Sequence, residues 1–193
     1  MNAAMLLLAD GRFPSGGHAH SGGLEAAVSA GRVTGVDELE SFLRGRLATS
    51  GPVVASFAAA AHLAVGAGSG DLGPLDGELD ARTAAPALRL ASRRQGRALL
   101  RAGRAIWPSP VFDRIPRHPD GPHHAVVLGV TAAAASLSVE EAALIGVYHV
   151  ITGPASAAVR LLGLDPYQVT GLLARLAGAC DAVARTAAAS AGK

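Results

Sequence analysis

The amino-acid sequence predicts an all-α fold, a single-domain helical bundle of roughly eight to ten helices over residues 1–193. Three observations predict it. Half of the residues are apolar, yet only 4% are aromatic and the excess lies in Ala, Leu and Val, a mixture that suits closely packed helices. Helix start and stop signals recur along the whole chain, and no segment shows the alternation of a half-buried strand or an internal repeat. A chain of 193 residues is also long enough to bury a core without covalent staples.

Residues 1–10 read as a short apolar helix that stops at a loop rich in Gly, Pro and Ser, 11–23. A second helix opens around Leu24-Glu25-Ala26-Ala27-Val28. Thr34-Gly35-Val36-Asp37 resembles a capping box and launches a helix with Leu39, Phe42, Leu43 and Leu47 on one stripe. Gly51-Pro52 then starts a helix over 53–65 that is apolar on nearly every side, the expected centre of the core. Residues 66–77 hold five Gly, a Pro and two Asp and read as an exposed, flexible connection. From 81 to 106 a long helix follows, with Arg89, Arg93, Arg94, Arg97, Arg101 and Arg104 along one flank. Trp107-Pro108-Ser109-Pro110 ends it, and 108–122 forms a second flexible connection.

His123-His124 lead into a helix over 125–137, and Ser138-Val139-Glu140-Glu141 supplies a capping box for one running through Tyr148. Gly153-Pro154 opens the next, with Ala157, Ala158, Leu161 and Leu162 on its stripe. Asp165-Pro166-Tyr167-Gln168 combines a capping acid with Pro at the first helical position, and starts a terminal helix reaching about residue 190.

Lys plus Arg exceed Asp plus Glu by only 17 to 15, so nothing in the charge balance demands nucleic acid. The single cysteine, Cys180, excludes an intrachain disulfide and a cysteine-based metal cluster, which fits a reducing, cytoplasmic compartment. The start lacks the cationic region of a signal peptide, and no uninterrupted strongly apolar window of about 18 residues predicts a membrane span.

The segment richest in information is Phe13-Pro14-Ser15-Gly16-Gly17-His18-Ala19-His20-Ser21-Gly22-Gly23-Leu24-Glu25. Its glycines permit positive φ angles and close approach, so it suits an anion or a protein partner. A phosphate loop is excluded because no Lys-Ser or Lys-Thr follows the glycines and no strand precedes them. A hydrolase would need Ser21 with His20 or His18 as base, but near neighbours in sequence rarely reach each other correctly and no nucleophile elbow is present. His18, His20, His118, His123 and His124 supply imidazoles for a nickel or zinc site, though none has the spacing of a preformed helical one.

Leu7-Leu8-Ala9-Asp10 followed by Pro14, Gly16, Gly17, His20, Ser21, Gly23, Leu24 and Glu25 closely resembles the N-terminal signature of the UreF family, with His18 where that signature usually has Phe. Ser92, Gln95, Gly96, Arg97, Leu99 and Leu100 resemble its middle helix. Val127-Leu128-Gly129, Tyr148 and Ala157-Ala158-Val159-Arg160-Leu161 resemble its C-terminal half. The usual Pro-Leu-Gly-Gln turn after these is replaced by Leu162-Gly163-Leu164-Asp165-Pro166.

The resemblance implies a cytoplasmic, non-enzymatic scaffold without a cofactor. Such a scaffold works with UreD (also called UreH) and the GTPase UreG, typically as a homodimer, to deliver nickel to apo-urease. It also implies partner contacts at the signature residues of the loop, at Arg97 and at Arg160. Arg97 sits beside Gly96, where a missing side chain allows close approach, whereas Arg160 reads equally as a contact or as an internal buckle to a buried carboxylate. A histidine-based metal-binding protein and a helical enzyme are the alternatives.

Overall fold

The computed structural model describes residues 3–17, 20–68 and 71–192. Among them are nine α-helices and no strand: α1 Ala3–Ala9, α2 Leu24–Ser29, α3 Val36–Ala48, α4 Ser50–Gly66, α5 Gly73–Arg82, α6 Pro86–Ile106, α7 His124–Ala134, α8 Val139–Leu162 and α9 Pro166–Ser190. A 3-10 turn, Pro110–Arg114, lies between α6 and α7.

Two clusters of buried side chains form the core, and α4 and α8 belong to both. In the first, Phe57, Ala58 and Ala61 of α4 and Ile145 of α8 meet Leu8, Leu99, Phe112 and the all-buried stretch Ala125–Ala132 of α7. In the second, Ala55 and Ala59 of α4 and Val147 and Ile151 of α8 meet Leu24, Leu39, Leu43, Leu172 and Leu176. Small residues let these helices touch backbone to backbone. A Cβ added at Gly129 would lie 2.2 Å from the Ala58 carbonyl oxygen, so α7 rests directly on α4.

The capping signals at the two C-terminal helices form as expected. Ser138 Oγ accepts from Glu141 N at 3.1 Å, and Glu141 accepts from Ser138 N at 2.8 Å. The Asp165 carboxylate accepts from Tyr167 N at 2.9 Å. At α3 the cap is Gly35, not Thr34, whose hydroxyl instead donates to Glu38 at 3.4 Å.

Three boundaries differ from the sequence reading. Helix α5 begins at Gly73, inside the expected connection 66–77. Pro74 needs no N–H partner in a first turn, and fully buried Leu72 together with Leu79 supplies the apolar contacts that the glycines lack. The expected helix 81–106 is two helices, because Pro86 forces Ala85 into extended backbone (φ −80°, ψ 120°). Gly153-Pro154 does not open a helix but lies within α8, a 24-residue helix. Pro154 removes the N–H that would bond the Val150 carbonyl, and Arg46 Nε of α3 donates to that oxygen at 3.1 Å instead. The unbroken α8 is long and apolar enough to cross a bilayer, but most of that stretch is buried against neighbouring helices.

Candidate partner-binding site

The glycine-rich loop between α1 and α2 is fastened at both ends to different halves of the core. Phe13 is buried in the first cluster and stacks on Trp107, ring centroids 6.0 Å apart. Leu24 is fully buried in the second. Between these anchors the backbone turns on itself, with Ser15 N donating to Phe13 O at 2.6 Å and His20 N to Gly17 O at 3.2 Å. Ser21 Oγ accepts from Glu25 N at 3.2 Å and closes the start of α2. Gly16, Gly22 and Gly23 have φ of 74°, 59° and 94°, the left-handed region in which a side chain is strained.

One half-buried cation positions this loop. Arg46 Nη1 donates to Gly22 O at 2.6 Å while its Nε holds Val150 O, so one guanidinium ties α3, the loop and α8 together. Burial pushes the pKa of Arg46 below its usual value. A Cβ at Gly22 would lie 3.1 Å from Pro154 Cγ and 3.4 Å from Arg46 Cζ, and one at Gly153 would lie 3.7 Å from His20 O. The loop therefore lies on α8 where Gly153-Pro154 leaves room. Pro14 and Glu25 are exposed, and Gly16, Gly17, His20, Ser21 and Gly23 are half-buried. Beside them a groove of about 460 Å³ runs between α2 and α3, lined by Gly23, Arg32, Val33, Asp37, Glu38 and Phe42.

His18 lies outside the described residues. Of the sequence-predicted positions, Gly17 has ordinary φ and only Ser15 Oγ near a would-be Cβ, at 3.8 Å, so Gly22 and not Gly17 is the sterically critical glycine.

Arg97 and Arg160 do not join this loop. Arg160 is exposed in the last turn of α8, whereas Arg93 of α6 is buried. Exposed Arg97 donates from Nη2 to Pro119 O at 2.5 Å. The close approach permitted by Gly96 is made by this chain itself: a Cβ there would sit 2.0 Å from Pro122 O.

Under that contact lies a buried polar network that the sequence reading missed. Arg93 donates to Asp76 at 2.9 Å, Asp80 at 3.0 Å and Gly121 O at 2.8 Å, and His123 N donates to Asp76 at 2.7 Å. The His123 ring spans Asp80 (Nε2, 2.9 Å) and Ser92 Oγ (Nδ1, 2.9 Å). Burial lowers the His123 pKa, so the neutral ring donates from Nε2 and accepts at Nδ1 from the Ser92 hydroxyl. The hydrogen bond from His123, with Arg93 behind it, holds the Asp80 carboxyl below its usual range.

This Asp-His-Ser line resembles a catalytic relay, but its geometry is that of a buckle. His123 is fully buried, and Ser92 Oγ also accepts from His124 N at 3.3 Å. The signal for the network was the four-residue spacing of Asp76 and Asp80, legible only once α5 is recognised as a helix.

The remaining histidines are dispersed. His118 Nδ1 accepts from Asp120 N at 3.1 Å, and His124 lies against His149 with ring centroids 5.9 Å apart. Among the described residues no three His, Cys, Asp or Glu side chains gather to hold a metal ion. Although His124 keeps part of its surface in water, burial and the neighbouring imidazole push its pKa down to about 3. Burial raises the Cys180 thiol to about 11, leaving it protonated and unreactive.

The fold and site define an all-helical protein whose open surfaces are loops laid on a two-cluster core. The family model described as UreF matches residues 33–177. The chain is 47% identical over 188 residues to the urease accessory protein UreF of Mycobacterium tuberculosis, covering 97% of this chain and 85% of that one. The urease accessory protein UreF of Mycobacterium bovis matches at the same identity and coverage. That of Mycobacterium marinum is 47% identical over 96% of this chain and 85% of its own. The chain belongs to the UreF family of urease accessory proteins.

Proposed function

We propose that this protein is a cytoplasmic scaffold in urease maturation, bridging UreD/UreH and the GTPase UreG on apo-urease as nickel is delivered, and that it does so as a homodimer without catalysis of its own. The reading is supported by the family membership and, in the structure, by one observation. Of the loop bearing Gly16 to Glu25, the described residues are held at Phe13, Leu24 and Arg46, and half-buried Gly16, Gly17 and Gly23 keep part of their surface open to a partner. A loop ordered in this way loses little entropy on docking. Arg160 is proposed as a further contact, and Arg97 as one that also steadies the 119–122 segment.

Co-purification with UreD and UreG, combined with urease activation in cells, tests the proposal. Wild-type chain is expected to capture both partners and to show no GTP turnover alone. Gly22→Val is expected to lose capture. Capture and activation undiminished by Gly22→Val, with the substituted chain folded, would remove the loop from the interface.

A further inference from the structure

On a different surface, a cleft of about 410 Å³ opens between α6 and the chain that follows it. Arg97 and Arg104 stand on the helix side, Asp113, Arg117 and His118 on the other, and Leu100 and Ile115 supply apolar surface. Three guanidinium groups thus face one carboxylate, which is itself engaged by Arg104 at 3.0 Å.

The cations are held in place by backbone oxygens. Arg97 donates to Pro119 O at 2.5 Å and Arg104 to Phe112 O at 3.1 Å, each through Nη2, which leaves further N–H groups on both forks. Among the described residues nothing engages Arg117. The wall is rigid, because Gly96 and Gly121 bring main chain against α6 and Arg93 grips Gly121 O from below.

We propose that this cleft receives a carboxylate-rich, partly apolar segment of a partner protein. Its carboxylates would pair with Arg97 and Arg117, and its apolar side chains would cover Leu100 and Ile115. The carbonyl of Pro119, bonded to Arg97 beside the cleft, disfavours a compact phosphate, but its second lone pair can accept from an N–H group of an extended chain. The inference deepens the scaffold reading at Arg97, and its test does not depend on which partners that reading names.

The test uses the full chain and three probes: a fluorescent peptide alternating Glu and Leu, its Gln-for-Glu counterpart, and inorganic phosphate. The Glu peptide is expected to bind saturably and to weaken with salt. Its affinity should fall about tenfold in Arg97→Gln and in Arg117→Gln, and stay unchanged in Arg94→Gln, an exposed α6 position outside the cleft. Arg117 makes no internal bond, so its variant reads binding even if Arg97→Gln lowers the melting temperature. Any of four results would overturn the proposal: no saturable binding, equal binding of the Gln peptide, equal loss in Arg94→Gln, or displacement of the peptide by phosphate as readily as by unlabelled peptide.

Discussion

Two segments that break the helical pattern, the glycine-rich 11–23 and the proline-rich 107–123, are built in opposite ways. The described residues of the first are anchored by Phe13, Leu24 and the Arg46 bond to Gly22 and lie along α8 at Gly153-Pro154, most of them half-buried or exposed. The second is pressed onto α6 through Gly96 and fixed from beneath by Arg93, Asp76, Asp80 and His123. Gly and Pro announce irregular chain in both. What distinguishes the two is which charged groups reach across, Arg46 to the first and Arg93 with its carboxylates to the second, and those come from elsewhere in the sequence.

Arg93→Ala is the largest expected break in this contrast. It leaves Asp76 buried without its counter-charge, at a cost of about 3–5 kcal/mol in urea or thermal unfolding. A cost comparable to that of an exposed arginine would mean that the second segment is not held by this network. Gly96→Ala attacks the same wall sterically. Main chain cannot retreat from a Cβ 2.0 Å away, so a loss of about 1–3 kcal/mol or more is expected from the same melts.

Arg46→Met probes the first segment. It strands Val150 O and frees Gly22 O, and about 1–3 kcal/mol should be lost, less than at Arg93, with partner capture falling further than stability predicts. Equal costs at Arg46 and Arg93 would erase the distinction between the segments.

Acid adds a smaller effect next to the second segment. The folded-state pKa of His124 lies near 3, below the ordinary value of 6.5, so the unfolded chain binds the extra proton between these values. The stability from neutral His124 is fully present above about pH 6.5 and is lost as pH falls toward about 3. Half-buried His149 and buried His123 are shifted in the same direction. A His124→Gln chain should therefore show a shallower decline of melting temperature below pH 6.5 than wild type. The smallest change expected is a gain: Gly178→Ala on the exposed side of α9 has open space at Cβ and should stabilise by about 0.5–1 kcal/mol.

Much of the fold was legible before the structure. Ser138 with Glu141, and Asp165 with Pro166, start helices where their side chains satisfy free backbone N–H groups, and that chemistry is local. The apolar circumference of α4 likewise marked the helix shared by both core clusters. The loop from Pro14 to Glu25 was legible as a special segment, but its critical glycine was not. Gly22 differs from Gly17 through its left-handed φ and through Pro154 and Arg46, which lie 132 and 24 residues away in the chain.

By itself, then, the sequence determined the helical class, most helix starts and the UreF resemblance, because capping, proline geometry and apolar periodicity act over a few residues. Only the tertiary structure decided that Gly153-Pro154 lies inside a helix, because its stranded carbonyl finds Arg46 across the bundle. It likewise decided that Asp76 lies on the buried side of a helix and that Gly96 serves an internal contact. Both depend on Arg93 and on the chain around residue 122, and a hydrogen bond or steric contact acts on distance in space, to which separation along the chain gives no access.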